Sequence, residues 1–395
     1  MVSAREVVIL SGVRTAIGDY GGALKDVAAT ELAATVVRAA VARAGIDPNE
    51  AGHLVFGNVI HGEARDMYLA RVACINGGLP QSTSALTLNR LCGSGLQAII
   101  SSAQTILLSD TDTAVAGGAE SMSRGGYLLP ALRWGQRMND GGTVDMMAGA
   151  LTDPFDNVHM GVTAENIAAK WGISRAEQDS FALESHRRAI NAIRNGYFKE
   201  QILPIELKTR KGTTIFATDE HPRADASIEG LAGLRPVFQK DGTVTAGNAS
   251  GINDSAAAVV LMERNAAEKR GLKPMARLVS YAHAGVNPKY MGIGPVPAVQ
   301  NAMKRAGLTV ADMDVIESNE AFAAQACAVA RELHFDPAKT NPNGGAVALG
   351  HPIGATGCIL TVKAIYELHR SGGRYALVTM CIGGGQGIAA IFERL

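Results

Sequence analysis

Arg43–Ala44–Gly45–Ile46 closes a predicted helix, Thr30–Ala44, and is followed by a strand, His53–Leu54–Val55–Phe56, and then Asn58. The same order returns 262 residues later (305 − 43). Arg305–Ala306–Gly307–Leu308 closes the helix Val296–Ala306 and is followed by the strand Asp314–Val315–Ile316–Glu317 and Asn319. The offset holds further along. Gly95 and Gly357 each open a helix, and the strand Thr113–Val115 maps onto the apolar run Tyr375–Val378. One residue of slippage precedes the asparagines. A period this long is not a solenoid but a duplicated domain. Strands alternate with helices in each half, which predicts an α/β fold with a mixed or largely parallel sheet between helices. The halves are 1–121 together with 252–273, and 274–395. Between them lies an insert, 122–251, with two predicted helices, Thr163–Trp171 and Arg175–Asn195. Its other stretches are polar and rich in proline, as in segments that cover a substrate site. The first half resumes in the strand Ile252–Met262. Sites in such sheets lie where strand ends of the two halves meet.

Bulk properties narrow the class. The 395 residues are 47% hydrophobic and 19% charged, enough for a large core. Aromatic residues are scarce and glycines number 45, which suits close helix–sheet packing. Lys+Arg and Asp+Glu both number 37, so bulk charge supports neither nucleic-acid nor acidic-membrane binding. No apolar run approaches the roughly 20 residues of a membrane span. The chain opens on a predicted strand, Arg5–Leu10, without a leader-like segment before it. The cysteines (Cys74, Cys92, Cys327, Cys358, Cys381) are odd in number and scattered. That pattern predicts a reducing, cytoplasmic setting rather than a disulfide framework. Without a C-x-x-C pair, no structural metal site is expected.

Cys92 lies in Asn89–Arg90–Leu91–Cys92–Gly93–Ser94–Gly95, between a predicted buried strand, Ser84–Leu88, and a helix, Leu96–Leu108. A cysteine at a helix N-terminus feels a field that favours thiolate, which makes it a candidate nucleophile. The repeat places Gly354 opposite Cys92, in the loop Gly350–His351–Pro352–Ile353–Gly354. His351 reads either as a base for the thiol or as a loop histidine bound to backbone. Cys381 opens Cys381–Ile382–Gly383–Gly384–Gly385. Free N–H groups in that turn suit an oxyanion, while Cys381 alone reads equally as a small core residue. Asn319 is open to two readings, a helix N-cap or the holder of a water in the site. The frames for a dinucleotide fingerprint and for a hydrolase nucleophile elbow are absent.

Taken together, these stretches resemble the thiolases over essentially the whole chain. The matching motifs are the Asn89–Gly95 run, Gly117–Gly118–Ala119–Glu120–Ser121–Met122, His159–Met160–Gly161 and Gly247–Asn248–Ala249–Ser250–Gly251, followed by Asn319–Glu320–Ala321–Phe322, Gly350–Gly354 and Cys381–Gly385. Within that family the chain is most similar to bacterial biosynthetic thiolases, especially β-ketothiolases that supply polyhydroxyalkanoate synthesis. The resemblance implies two duplicated α-β-α-β-α layered halves, with the insert as a loop domain over a coenzyme A site. It implies reversible condensation of acetyl-CoA with acetyl-CoA or another short acyl-CoA, giving a 3-oxoacyl-CoA and CoA, with tolerance for longer chains.

By the same resemblance Cys92 carries the acyl group, His351 takes its proton, and Cys381 is the acid/base at the α-carbon. The N–H groups of Cys92 and Gly383 form one oxyanion hole; His351 and a water on Asn319 form another. Arg223, Ser250, Ala249, Met160, His159, Leu231, Phe238, Ala321 and Phe322 match positions that contact the CoA or acyl part. CoA and acyl-CoA are substrates, with no tightly bound cofactor. A homodimer or homotetramer is implied, and Arg133–Met138 resembles the loop that joins dimers into tetramers. Two positions depart from the pattern, Ser318 where alanine is expected and Gly230 where short-chain enzymes tend to carry serine. The basic group His186, Arg187, Arg188, Lys208, Arg210 and Lys211 reads as a CoA phosphate site or as a solvated face. A decarboxylating synthase of the same fold would not need Cys381 in its glycine turn. A non-catalytic CoA-binding relative would lack at least one of Cys92, His351, Cys381 and Asn319.

Overall fold

The structure, a computed structural model, describes residues 5–209 and 212–395. Its principal strands are β1 (Val7–Thr15), β2 (His53–Gly57), β3 (Ser84–Leu88), β4 (Thr113–Ser121), β5 (Asn253–Glu263), β6 (Ala276–Gly285), β7 (Val315–Ser318), β8 (Tyr375–Ile382) and β9 (Gln386–Arg394). The principal helices are α1 (Ala29–Ala44), α2 (Leu69–Asn76), α3 (Ser94–Leu107), α4 (Met160–Trp171), α5 (Arg175–Arg194), α6 (Pro295–Ala306), α7 (Ala323–Glu332) and α8 (Ile353–Ser371).

The strand order is β7-β8-β9-β6-β1-β5-β4-β2-β3. It is the same order read from either side of the β6–β1 seam. In the first half β1 pairs antiparallel with β5 and β5 antiparallel with β4, then β4–β2 and β2–β3 run parallel. In the second half β6–β9 and β9–β8 are antiparallel and β8–β7 is parallel. Where a counterpart of β3 would lie, Ile316 makes a single parallel bridge to Thr340. The seam itself is two residue pairs, Val8↔Arg277 and Ile9↔Ala276. The repeated Arg-Ala-Gly signals end α1 and α6 identically: Gly45 and Gly307 both adopt φ 67°, a left-handed C-terminal stop that glycine takes without a Cβ clash.

Helix α8 packs on β4 and β5 of one half and on β7 and β8 of the other. Those strands sit far apart in the strand order, so the two half-sheets face one another across a central layer of α8 and α3. Helix α1 covers the first half-sheet from outside, and α6 covers the second. This yields the layered α-β-α-β-α arrangement. It also explains composition: β1, β4 and β5 are covered on both faces and buried along their whole length. The expectation of a buried run over Ser84–Leu88 is corrected. The strand forms at those bounds, but it is the edge of the sheet, and Leu86 is 46% exposed.

The insert contributes α4, α5, a hairpin of Ile205–Thr209 with Gly212–Phe216, and the short helix Ile228–Ala232. It is clamped to β1 through a fully buried ion pair. Arg14 donates from Nη1 and Nη2 to Asp219 at 2.7 and 3.0 Å and from Nε to Gln201 at 2.8 Å. Removing one partner of such a pair strands a buried charge, at about 3–5 kcal/mol. Arg210 and Lys211 lie outside the described residues. Among the described residues, no helix is long and apolar enough to cross a membrane.

Candidate active site

Two turns of the repeat meet under the insert. The first carries Cys92. The Asn89 side chain accepts from Leu91 N at 2.9 Å. Ser94 Oγ accepts from Arg90 N at 2.8 Å and donates to Leu91 O at 2.7 Å. These side chains hold Leu91 at φ 46°, an uncommon conformation for a leucine and the kind of strain that functional turns retain. Helix α3 begins at Ser94 with Gly93 as its cap, so Cys92 sits just outside the helix. Gly93 presses on β8: a Cβ there would meet Ile382 Cδ1 at 2.6 Å. That close approach brings the Cys381–Gly383 turn beside Cys92.

The N–H groups of Cys92 and Gly383 both donate toward the Cys92 sulfur and lower its pKa, but burial outweighs them and pushes it up to about 11. The resting group is therefore a thiol, which corrects the expectation of a field-stabilised thiolate. The helix end acts on a sulfur that is largely desolvated and also faces the Glu120 carboxyl. Cys381 is buried, and burial and then the nearby Cys92 push its pKa up as well.

The second turn carries His351. Its backbone N donates to Asn253 Oδ1 at 3.0 Å. Its Nδ1 lies 2.7 Å from Thr356 Oγ1, and that hydroxyl donates to Pro352 O at 2.9 Å. The hydroxyl's single proton is thus committed, so it accepts from Nδ1–H, and Nε2 is the unprotonated nitrogen. Burial lowers the His351 pKa to about 4, so the ring is neutral. Asn319 Nδ2 lies 3.5 Å from Nε2. Asn319 Oδ1 is buried and has no hydrogen-bond partner among the described residues. Helix α7 starts at Ala323 with Phe322 as its cap, which excludes the N-cap reading of Asn319. The structure thus gathers one neutral base, two thiols and a set of convergent donors.

Beside them lies an apolar cluster with Met160, Ala321, Phe322 and Cys381, against which Phe238 and Ala249 pack. Met160 is near Gly383, where a Cβ would meet its Cε at 2.8 Å. Phe238 stacks on His159 at 4.6 Å and meets Phe322 edge-on at 6.1 Å. Ser250 N donates to Ala321 O at 3.0 Å, and Ala249 bridges Phe322. His159 is engaged locally: its Nδ1 accepts from Gly161 N at 3.0 Å and caps α4.

Leu231 and Arg223 fall elsewhere. With His186, His221, Ser227 and Gly230 they line a separate cavity of about 340 Å³ in the insert. His186 shares that cavity, whereas Arg187 and Arg188 are held by Glu184, at 2.6 Å each, and behave as a paired helix face. Sequence reasoning missed Thr356, Asn253 and Glu120 as supports. Glu120 and Thr356 lie in or next to the quoted motifs, but nothing in a sequence shows which backbone they reach. Among the described residues, no cluster of three or more His, Cys, Asp or Glu could hold a metal ion.

Two family models match the chain: "Thiolase, N-terminal domain" over residues 7–265 and "Thiolase, C-terminal domain" over 272–394. The chain is 69% identical over 392 residues to the Beta-ketothiolase BktB of Cupriavidus necator, covering 99% of this chain and all of that protein. It is 48% identical to an acetyl-CoA acetyltransferase of Syntrophomonas wolfei over 99% of this chain and all of that one. Among solved structures it matches a Bacillus anthracis acetyl-CoA acetyltransferase with TM-score 0.97 and 47% identity, covering 99% of both chains. It also matches human mitochondrial 3-ketoacyl-CoA thiolase in complex with CoA, with TM-score 0.96 and 44% identity, over 99% of this chain and 98% of that one.

Proposed function

The chain belongs to the thiolase family, and from that premise we propose the residue roles by which it works as an acyltransferase. It condenses acetyl-CoA with acetyl-CoA, tolerates longer acyl chains, and runs the reverse thiolysis. In thiolysis His351 Nε2 takes the Cys92 proton as the sulfur attacks the 3-oxo carbonyl. The tetrahedral oxyanion is held by the N–H groups of Cys92 and Gly383. Its collapse breaks the C–C bond, leaving an acyl-Cys92 and an acetyl-CoA enolate. The enolate oxygen is stabilised by the new His351 Nε2–H and a water on Asn319, and Cys381 gives its proton to the α-carbon. Acetyl-CoA leaves. The Cys381 thiolate then takes the proton of an incoming CoA thiol, whose sulfur attacks the acyl-Cys92; the shortened acyl-CoA is freed, and the departing Cys92 thiolate regains its proton from His351 Nε2. Condensation is the reverse, and every proton returns to its donor.

The observation that carries this reading is the state of His351: Nδ1–H committed to Thr356, Nε2 unprotonated, and the ring neutral. A base in that state accepts a thiol proton and afterwards donates to an oxyanion from the same nitrogen. CoA and acyl-CoA are the substrates, with no tightly bound cofactor. The apolar cluster around Phe238, Phe322 and Ala249 supports a pantetheine and acyl path, with the cavity at Arg223 for the nucleotide end. The insert, 122–251, forms the cover. The cell compartment proposed is the cytoplasm, and the pathway is the supply of 3-oxoacyl-CoA for polyhydroxyalkanoate synthesis. A homodimer or homotetramer is supported by the open edge of β3 with Leu86 and by Trp134, 86% exposed.

The test is acetoacetyl-CoA thiolysis with trapping of the acyl-enzyme. Cys92→Ser should abolish turnover and acylation. Cys381→Ser should still take up label from an acyl-CoA on Cys92 while turnover falls by at least about a thousandfold. Absence of labelling in well-folded Cys381→Ser would overturn the division of roles.

A further inference from the structure

Glu120, next to last in β4, is fully buried, and the chemistry proposed above does not use it. Its carboxylate is saturated. Asn58 Nδ2 donates to Oε1 at 2.9 Å and Ile60 N at 3.0 Å. Val59 N donates to Oε2 at 3.1 Å and Gly354 N at 2.8 Å. Each oxygen thus receives two N–H groups, so a proton on either would confront a donor. Burial pushes the Glu120 pKa up to about 8 against the pull of these donors, so the carboxylate is ionised above that pH. These donors come from two places. Asn58, Val59 and Ile60 form the turn after β2, in the first half. Gly354 belongs to the second half, three residues past His351 and opposite Cys92 in the repeat. Backbones are close here: a Cβ at Gly354 would sit 2.7 Å from Glu120 Oε2, and one at Gly118 would sit 2.0 Å from Gly354 O. Val59 and Ile60 also pack with Cys92 and Ile353 in one apolar cluster.

Resting on the thiolase reading, we propose that Glu120 is a positioning residue: it locks the His351 turn to the turn after β2 across the two halves and, when ionised, sets a negative charge beside Cys92. The charge has a consequence for the thiol. Burial is the main reason the Cys92 proton is retained, and the Glu120 carboxylate adds to it. The other charged group facing Glu120 is Asp66, on the turn Ala64–Tyr68, whose carboxylate accepts from Gly62 N and Glu63 N.

Glu120→Gln removes the charge and turns one acceptor oxygen into a donor that faces two N–H groups. Loosening of this kind, far from the CoA handle, is expected to lower kcat about 10- to 100-fold while KM for acetoacetyl-CoA stays within about threefold. Alkylation of Cys92 by iodoacetamide, followed from pH 8 to pH 11, should reach its midpoint at lower pH in Glu120→Gln than in the parent; a merely structural lesion would not move it that way. Because Glu120 acts through His351, Glu120→Gln with His351→Asn should lose little more kcat than His351→Asn alone. Should Glu120→Gln fail to fold, Asn58→Ser deletes one donor and keeps the charge; it should lower kcat about threefold or more with the alkylation midpoint unmoved. Parent-like kcat in folded Glu120→Gln, an unmoved alkylation midpoint there, fully additive losses with His351→Asn, or parent-like kcat in Asn58→Ser would overturn the assignment. The alkylation arm needs no turnover, so it reads Glu120 even if the thiolase reading were to fail.

Discussion

A histidine that must accept a proton has to be kept from taking one too early. His351 achieves this by burial, which lowers its pKa from 6.5 to about 4, and by Thr356, which fixes the tautomer. The acid limb of the pH–rate profile for acetoacetyl-CoA thiolysis is therefore expected near pH 4 to 5, well below the titration of an ordinary histidine. Below that limb the imidazolium has no lone pair for the Cys92 proton. The same shift has a thermodynamic sign. The folded-state pKa is depressed, so the unfolded chain binds more protons between about pH 4 and 6.5. The contribution of His351 to stability is complete above pH 6.5 and erodes as pH falls toward 4. His351→Asn removes a group that resists protonation in the folded state. Urea unfolding should show the variant gaining, relative to the parent, on the order of 2 kcal/mol at pH 5 compared with pH 8. An equal difference at both pH values would mean that His351 is not held neutral by the fold.

At the scale of elements, the repeat becomes a contact. Gly95 and Gly357 are equivalent positions, and they meet: a Cβ on Gly95 would lie 2.7 Å from Cys358 N, and one on Gly357 would lie 2.2 Å from Leu96 N. Helices α3 and α8 thus touch backbone to backbone at their first turns, and Cys92 and His351 lie just before those turns. Gly357→Ala should overpack this crossing and destabilise the protein by about 1–3 kcal/mol in denaturant unfolding. Thiolysis by the folded fraction should drop as well, because α8 cannot retreat from α3 without carrying His351 with it. A stable, fully active Gly357→Ala would show that the crossing tolerates a methyl group. This contact also marks what could be read from sequence. The period of 262 residues and the Arg-Ala-Gly stops expose two equivalent halves, and thereby the pairing of the Cys92 turn with the His351 turn. The packing of Gly95 on Gly357 follows from a twofold relation in space, which no spacing reveals. The same applies to the exposure of Leu86: the composition of β3 is that of a covered strand, and only strand order makes it an edge. The thiol state of Cys92 was likewise hidden, since it depends on how completely β8 and the neighbouring turns strip water from the sulfur.

At the scale of the whole molecule, chemistry and grip are separated. The proposed reacting groups stand where the two halves meet at α3 and α8, while the cavity with Arg223 belongs to the insert, held to β1 by the buried Arg14–Asp219 pair. A handle at that distance binds ground state and transition state alike, so its loss should appear in KM rather than kcat. Arg223 is exposed and lines the cavity, and its backbone N donates to His186 Nδ1 at 3.2 Å. His186 adds no charge at neutral pH, because burial and then His221 and Arg223 lower its pKa to about 4. The electrostatic attraction therefore falls mainly to the arginine. Arg223→Ala should raise KM for CoA about fivefold, the upper end for one exposed charge, with kcat within about twofold. Screening at 0.5 M salt should shrink the gap between variant and parent, because the Debye length there is only about 4 Å. A fall in kcat with KM unchanged would instead tie Arg223 to closure of the insert over the reacting groups. Steady-state thiolysis at two salt concentrations separates these outcomes.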